Sequence, residues 1–317
     1  MEFTGGLTFT GGLSVTPQPP PPSYKAIFGY GGNTVTGILS ITNLVSNTGV
    51  VGNDVSGVGT ARQQLAAAGY GTDKAIFGYG YSNTQVSMTN KVSNTGIVAS
   101  DTTGVGTARQ DPAAAGYGTD KAIFGFGQTN SSGTVTSITN LVSNAGLVAT
   151  DTTGVGTARY SSAAAVYGTD KAIFGYGVLG SPTYTLQSIT NLVSNTGVVA
   201  TNTTGVGTAR YALAAAGYGS DKAIFGYGQT GGGPVSMTNL VSNTGVVATD
   251  TAGVGTARAY LAAAGYGADN AIFGYGNISG TITAITNLVS NTGVVANNTT
   301  GVGTVRYGLA AAIYGPT

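Results

Sequence analysis

The stretch Leu213-Ala-Ala-Ala-Gly-Tyr-Gly-Ser-Asp-Lys-Ala-Ile-Phe-Gly-Tyr227 determines the type of fold that this chain can adopt. It contains two apolar segments on either side of the short polar segment Gly219-Ser-Asp221. This pattern predicts two antiparallel strands joined by a tight turn. Further along, residues 235–241 and 246–248 flank Ser242-Asn-Thr-Gly245 and predict a second hairpin. Four short strands are therefore expected in this part of the chain.

The segment Lys-Ala-Ile-Phe-Gly-Tyr-Gly is the most regular part of a repeat of 47 to 51 residues. Its six copies, two of them slightly varied, start at Lys25, Lys74, Lys121, Lys171, Lys222 and Asn270. A Thr-Asn pair follows each copy, and the distance from its threonine to the next repeated arginine is always 20 residues. All variation in length therefore lies in one loop per repeat. Four short strands at this period are typical of a β-propeller blade.

The two ends of the chain together make up one repeat. No first strand precedes Lys25, whereas residues 307–314, after the last repeated arginine, have the sequence of a first strand. Pairing of residues 307–314 with residues 25–30 would close a ring and leave no open repeat at either end. The sequence therefore predicts an all-β domain over residues 25–317. We expect a six-bladed β-propeller with four antiparallel strands per blade and one hybrid blade, built from the C-terminal strand and three N-terminal strands.

The order of these segments resembles a kelch-type blade, and the resemblance covers residues 25–317. It departs from the kelch pattern because the chain has no tryptophan and because tyrosine displaces the second glycine of the kelch pair. The resemblance implies a propeller whose first strand in each blade, the Ala-Ala-Ala segment, lines a central channel.

Charged residues recur at equivalent positions of the repeats. Each Gly-Val-Gly-Thr-(Ala/Val)-Arg segment ends in an arginine, and the six are Arg62, Arg109, Arg159, Arg210, Arg258 and Arg306. An aspartate or asparagine lies eight residues before each of them. Equivalent residues in every repeat predict a structural network in which arginine ties one blade to the next. The alternative is a ring of arginines that binds an anion at one mouth of the channel.

The composition is unfavourable for catalysis. The chain has no histidine or cysteine, and its aspartates occupy equivalent positions, whereas an active site needs one asymmetric group of residues. We therefore expect a non-enzymatic protein with no cofactor. The net charge of +1 comes from scattered residues and predicts no nucleic-acid partner. No stretch of apolar residues is long enough to form a membrane-spanning helix, so we expect no membrane insertion.

The loop after each Phe-Gly-Tyr-Gly segment differs from repeat to repeat. Variable loops on a rigid scaffold are a frequent location of recognition residues. The candidate recognition residues are Asn33, Tyr81, Asn83, Gln128, Asn130, Leu179, Tyr184, Gln229 and Asn277. Sequence drift in unconstrained loops is the alternative interpretation.

Residues 1–24 form a separate leader. The duplicated segments Phe3-Thr-Gly-Gly-Leu7 and Phe9-Thr-Gly-Gly-Leu13 precede a run of prolines at residues 19–22. The prolines predict a stiff spacer. The duplicated segments predict an anchor, built on Phe3, Leu7, Phe9 and Leu13, that adds to the sheet of another chain or pairs with copies of itself.

The leader and the Gly-, Thr- and Asn-rich repeats resemble segments of tailed-bacteriophage virion proteins, in particular fibre and decoration proteins. The resemblance implies a structural protein on the virion surface that is assembled in the host cytoplasm. Its partners would be other virion proteins, bound through residues 1–24, and a host-surface glycan; an oligomer is expected. The alternative is a glycan-binding lectin or adhesin of cellular origin that uses the variable loops.

Overall fold

The computed structural model describes residues 23–316, and within them it contains strands, bridges and turns but no helix. The predicted anchor residues Phe3, Leu7, Phe9 and Leu13 lie outside the described residues. The strands are β1 (Lys25–Asn33), β2 (Gly37–Val45), β3 (Ala66–Tyr70), β4 (Lys74–Gly78), β5 (Thr89–Val92), β6 (Ala113–Tyr117), β7 (Lys121–Gly125), β8 (Thr139–Val142), β9 (Ala163–Tyr167), β10 (Lys171–Gly175), β11 (Thr190–Val193), β12 (Ala214–Tyr218), β13 (Lys222–Gly226), β14 (Gln229–Thr230), β15 (Gly233–Pro234), β16 (Thr238–Val241), β17 (Ala262–Tyr266), β18 (Asn270–Ile278), β19 (Thr281–Val289) and β20 (Ala310–Tyr314).

These strands form antiparallel sheets of three, which we number by their order along the chain. Sheet 1 is β20-β1-β2, sheet 2 is β3-β4-β5, sheet 3 is β6-β7-β8, sheet 4 is β9-β10-β11, sheet 5 is β12-β13-β16 and sheet 6 is β17-β18-β19; β14 and β15 form a small ribbon. In each sheet an Ala-Ala-Ala segment forms the first strand, and a buried Lys/Asn-Ala-Ile-Phe-Gly segment forms the middle strand. The all-β prediction is therefore confirmed.

The hybrid sheet is confirmed residue by residue. Strand β20 pairs with β1 from Lys25 opposite Tyr314 to Gly29 opposite Ala310. Tyr24, which the sequence assigned to the leader, also forms a bridge with Gly267 of sheet 6. The folded part of the chain therefore begins before Lys25.

The predicted fourth strand is wrong. In sheet 5 the expected strand at residues 246–248 is an extended segment that pairs with β16 only through isolated bridges, Val241 with Val247 and Thr238 with Thr251. The side chain of Asn239 explains the interruption. Its Nδ2 donates hydrogen bonds to the carbonyl of Ala248 (3.0 Å) and to Asp250 (2.9 Å), so a side-chain amide takes a carbonyl that a backbone N–H would bind in a regular ladder.

The repeated Phe-Gly pair joins neighbouring sheets. The ring of Phe77 in sheet 2 packs on Gly29 of sheet 1, where a methyl group would lie 2.6 Å from the ring. The same contact joins each sheet to the next, and Phe28 of sheet 1 packs on Gly274 of sheet 6. Larger residues at these glycines would separate the sheets.

Backbone hydrogen bonds also join the sheets at the starts of their first strands. The residue two positions after each arginine donates its N–H to the equivalent carbonyl of the preceding repeat. The bonds run from Asp111 to Gln64, Ser161 to Asp111, Ala212 to Ser161, Tyr260 to Ala212, Gly308 to Tyr260 and Gln64 to Gly308. We call these six residues the central cycle, because the bonds return to the residue at which they began.

The two ends of each sheet carry different structures. The first strand starts beside the point where the middle strand ends, as Ala66 opposite Gly78 shows, so the central cycle and the variable loop share one end. We call this the loop end. The turn between the first and middle strands lies at the opposite end, together with the repeated Ser-Asn-(Thr/Ala)-Gly turn. We call this the turn end.

Candidate functional site

The loop end carries all of the candidate recognition residues. Tyr81, Gln128 and Gln229 lie at the bases of their loops, where each forms a bridge with the residue that follows an arginine. Gln128 is 8% exposed, and its Nε2 donates to the carbonyl of Asn130 (2.7 Å). Its side chain therefore holds the loop together and is not available to a ligand.

The asparagines of these loops shape the backbone. Oδ1 of Asn33, Asn130 and Asn277 accepts hydrogen bonds from backbone N–H groups two to four residues further along. Asn83 adopts a φ of 64°, in the left-handed region that asparagine tolerates well. Asparagine is suited to these positions because its short amide can replace a backbone partner in a turn.

The loops of sheets 3 and 4 meet at the loop end and carry an exposed aromatic side chain, Tyr184. The N–H of Ser181 donates to the carbonyl of Gly133 (3.2 Å), which connects the two loops. Tyr184 is 52% exposed on this joined surface, Asn130 is also exposed, and Leu179 is half-buried. The surface therefore offers an aromatic ring next to polar groups.

The repeated arginines lie on the connections between sheets, in what we call the arginine junctions. In the junction between sheets 1 and 2, Arg62 Nε donates to the carbonyl of Tyr79 (3.0 Å), Nη1 to that of Thr60 (3.2 Å) and Nη2 to Oδ1 of Asn90 (2.6 Å). Its guanidinium carbon lies 4.3 Å from the centre of the Tyr30 ring. Arg62 therefore contacts both sheets at once.

An aspartate completes this junction. Asp101 of sheet 2 accepts hydrogen bonds from Thr60 on the connection and lies 3.8 Å from Arg62. Burial acts to raise the pKa of Asp101, but the hydrogen bonds from Thr60 and Asn90 and the charge of Arg62 outweigh it, so the pKa is lowered. The aspartate thus pairs with the arginine of the preceding repeat, not with the one eight residues after it.

Every repeated arginine is 0% exposed and stacks on an aromatic ring of the preceding sheet, at 4.0 to 4.4 Å. The alternative prediction of an arginine ring that binds an anion is therefore wrong, because no guanidinium group reaches a surface. A cation buried between two sheets must donate hydrogen bonds to several carbonyls at once. Arginine can do so because its planar guanidinium carries several N–H donors in a fixed arrangement.

Two junctions differ from the other four. Asn202 and Asn298 stand where the others have aspartate, and Phe126 replaces the tyrosine beneath Arg159. In these two junctions the hydrogen bond from arginine Nη2 to the asparagine of the third strand is missing, so Nη2 of Arg159 and of Arg258 has no partner among the described residues. Burial lowers the pKa of Arg159 to about 10.

The turn end holds a cavity of about 300 Å³, and the ends of the first strands of all six sheets contribute to its lining. Tyr24 and four lysines, Lys74, Lys121, Lys171 and Lys222, contribute to its lining. Each lysine forms an ion pair with the preceding aspartate, at 2.6 to 2.9 Å. Each of the four lysines therefore already has a carboxylate partner. In the sequence, the Asp-Lys pair recurs in four repeats, and this recurrence indicates that the four lysines occupy equivalent positions.

Residues 23–316 contain no group of three or more His, Cys, Asp or Glu side chains that could hold a metal ion. No helix long and apolar enough to cross a membrane occurs in this part of the chain. No known family model matches the sequence, and no curated protein matches it either.

Proposed function

We propose that the chain is a closed six-bladed β-propeller that serves as a non-enzymatic structural protein of a tailed-bacteriophage virion. In this proposal its leader, residues 1–24, docks to other virion proteins, and the loop end faces outward for contact with proteins or a host surface. The fold and the function are supported by different observations.

Three sets of contacts support the closed propeller. First strands contact one another from sheet 1 to sheet 6, and β17 of sheet 6 contacts β20 of sheet 1. The hydrogen bonds of the central cycle and the packing of phenylalanine on glycine follow the same order. An open array would leave the outer sheets unpaired at its ends.

Deletion of residues 307–317 tests the closure. In a closed propeller, this deletion removes the first strand of sheet 1 and weakens every junction, so hydrogen exchange in β10 of sheet 4 should become faster by at least about tenfold. In an open array, the increase would be confined to sheets 1 and 6. Unchanged exchange in sheet 4 would contradict the closed propeller.

The position of Ser23 and Tyr24, where the described chain begins, is the observation that carries the proposed function. Ser23 accepts a hydrogen bond from Asn47 (2.7 Å) in a turn at the turn end, and Tyr24 lines the cavity there. The variable loops occupy the loop end. The leader thus joins the folded part opposite the surface that varies, which suits a protein attached at one end and exposed at the other.

Particles made from the genome that encodes this chain provide the test. We expect mass spectrometry of purified particles to detect the full-length chain and to lose it when residues 2–22 are deleted. Replacement of residues 181–185 by Gly and Ser is the control, because it alters only the loop end and should leave incorporation unchanged. Absence of the full-length chain from purified particles would contradict the proposal.

A second candidate function is binding of a glycan at the loop end, and Tyr184 favours it. An exposed aromatic ring beside polar groups can stack on a sugar ring while hydrogen bonds orient the hydroxyl groups. Saturable binding to a glycan array that Tyr184→Ala abolishes would support this function. Val35→Ala, a change of an 89% exposed residue in the loop of sheet 1, is the matched control and should leave binding intact.

A further inference from the structure

The central cycle is the place where the repeats differ most within a uniform backbone. Its six residues all have φ between 49° and 61°, yet no two side chains are alike. They are Gln64, Asp111, Ser161, Ala212, Tyr260 and Gly308. A symmetric scaffold therefore carries an asymmetric set of groups at the centre of the loop end, the arrangement that a specific small site requires.

A small pocket of about 70 Å³ lies against these residues. Asp111, Ser161, Ser162 and Tyr260 are among the residues that line it. Ligand pockets for drug-sized molecules have volumes of several hundred cubic ångströms, so a sugar ring does not fit inside this pocket. Its size suits a single ion with one or two water molecules.

The polar groups of the pocket are incompletely paired. Asp111 is 9% exposed, and its carboxylate accepts one hydrogen bond, from Nε2 of Gln64 (2.6 Å). No lysine or arginine among residues 23–316 forms an ion pair with it. The Oγ atom of Ser162, which is 8% exposed as a residue, has no hydrogen-bond partner in the same part of the chain. Ser161, which is 6% exposed, lies close enough to Asp111 for its hydroxyl group to act on the carboxylate.

These groups define the charge of a ligand that would fit the pocket. A buried carboxylate without a cation is costly, and a buried hydroxyl group without a partner adds to that cost. A positively charged ligand would neutralise the carboxylate and accept coordination from the hydroxyl oxygens. Calcium and magnesium sites usually use more oxygen ligands or stricter geometry than one carboxylate and two hydroxyl groups provide. The single negative charge therefore matches a monovalent ion.

We propose that Asp111, Ser161 and Ser162 bind a small monovalent cation, of the size of sodium or potassium, at the centre of the loop end. The carboxylate supplies the charge and the two hydroxyl oxygens supply further ligands. This site is independent of the function proposed above, since it requires neither a virion nor a glycan.

The binding depends on pH through Asp111. Burial raises the pKa of Asp111 to about 7, although Ser161 and Gln64 act to lower it. The titratable groups that face Asp111 are Tyr160 and Tyr260. Burial and the charge of Asp111 raise the pKa of both tyrosines above the usual value, so both stay neutral in this range. A bound cation favours the charged carboxylate. The site should therefore bind better above pH 7 than at pH 5.5.

The test measures binding of sodium to the full-length protein by ²³Na NMR relaxation and by thermal unfolding. At about pH 8.5 and constant ionic strength, replacing tetramethylammonium chloride by sodium or potassium chloride should raise Tm by roughly 2 °C. The protein should also increase the ²³Na relaxation rate. Asp111→Asn should abolish both effects. Asp269→Asn, which removes a carboxylate at the turn end, is the matched control and should retain them.

Several results would overturn the proposal. These are equal Tm values in sodium, potassium and tetramethylammonium, a response to calcium alone, or an unchanged sodium effect in Asp111→Asn. The double variant Ser161→Ala, Ser162→Ala keeps the carboxylate and should weaken the sodium effect several-fold, so it tests the site if Asp111→Asn fails to fold. In the unmodified protein, a sodium effect equally large at pH 5.5 would contradict the role of Asp111.

Discussion

Two arginine junctions of the same chain, those of Arg62 and Arg159, bury the same cation in different surroundings. Arg62 stacks on Tyr30, donates to Asn90 and lies 3.8 Å from Asp101. Arg159 stacks on Phe126, has an unpartnered Nη2 and faces Asn202 where Arg62 faces a carboxylate. Both arginines keep the hydrogen bonds to the carbonyls of the connection and of the next sheet.

The difference shows which part of the junction the fold requires. The hydrogen bond from Nη1 to the carbonyl of the connection occurs in all six junctions. The Nε contact is absent for Arg109 and Arg306, and the Arg159 junction also lacks the carboxylate and the tyrosine hydroxyl, so none of these three is required in every junction. Arg258 is intermediate, since it stacks on Tyr227 but faces Asn298. Burial of an arginine without a carboxylate costs free energy. The Arg159 junction is therefore expected to be the weakest contact between neighbouring sheets.

Removal of the cation should give the largest difference between the two junctions. Arg62→Met leaves Asn90 Oδ1 and two carbonyls without a donor and should lower the free energy of unfolding by about 3 kcal/mol. Arg159→Met also loses two carbonyl contacts, but it relieves the burial of an unpaired cation, so a loss of about 1 kcal/mol is expected. Urea unfolding of both variants measures this difference. Equal losses would show that the surroundings of the cation are unimportant.

Exchange of aspartate and asparagine between the two junctions should make the stability of each resemble that of the other. Asn202→Asp should raise the free energy of unfolding by up to about 1 kcal/mol, because the new carboxylate gains the charge of Arg159; solvent limits the gain. Asp101→Asn should lower it by a similar amount. Asn298→Asp is the matched control for a second junction and should resemble Asn202→Asp. A loss of stability in Asn202→Asp would contradict this interpretation.

Addition of one hydroxyl group tests the aromatic part of the comparison. In the junction of Arg258, Tyr227 donates to the carbonyl of Val254 (3.0 Å), whereas Phe126 cannot make the equivalent bond to Val155. Phe126→Tyr should therefore stabilise the protein by roughly 0.5–1 kcal/mol, and Tyr227→Phe should destabilise it to the same extent. Thermal unfolding at constant pH measures both changes. A destabilising effect of Phe126→Tyr would mean that the Arg159 junction has no space for the hydroxyl group.

The pH dependence of stability should show the smallest effect. The pKa values of Asp54, Asp101, Asp151 and Asp250 are lowered, because hydrogen bonds and arginine outweigh burial. A lowered pKa stabilises the folded state above the unfolded value of about 4, and this contribution disappears as the pH falls through the folded value. Asp101→Asn should reduce the loss of urea resistance below about pH 4, and Asn202→Asp should increase it. Identical acid profiles would contradict the role of these aspartates.

Asp111 should change the stability with pH in the opposite direction. Its raised pKa favours the protonated folded state, so stability should decrease as the pH rises from about 4 to about 7 in the absence of a bound cation. Asp111→Asn removes this decrease and separates it from the effect of the junction aspartates. Urea unfolding in tetramethylammonium buffers over this range provides the measurement.

The repeats made the main elements of the fold predictable. A strand needs only local alternation and a turn, so the hairpin of Ala214–Tyr218 with Lys222–Gly226 and the pairing of β20 with β1 both followed from sequence. The repeated Phe-Gly-Tyr aromatics pack between neighbouring sheets, as the rings of Tyr30 and Phe77 with centroids 5.1 Å apart show. The interruption of the fourth strand could not be predicted from the sequence, because it depends on where the side chain of Asn239 lies.

The candidate site was less predictable. Asparagines in variable loops can serve recognition or turn formation, and only the hydrogen bonds of Asn33, Asn130 and Asn277 distinguish these roles. The pocket beside Asp111 was missed, although the sequence carried a signal. The position two residues after each arginine varies in all six repeats, while its neighbours on either side are far more uniform.

By itself, the sequence determined that the chain repeats a β hairpin, that its two ends share one sheet, and that equivalent charges recur in every repeat. These properties depend on local pattern and spacing. Tertiary structure decided that Asp101 pairs with the arginine of the preceding repeat, that the arginines are buried, and that six dissimilar side chains meet in the central cycle. These properties depend on which sheets are neighbours, and the burial of a charge or the completion of a site arises only where groups distant in sequence come into contact.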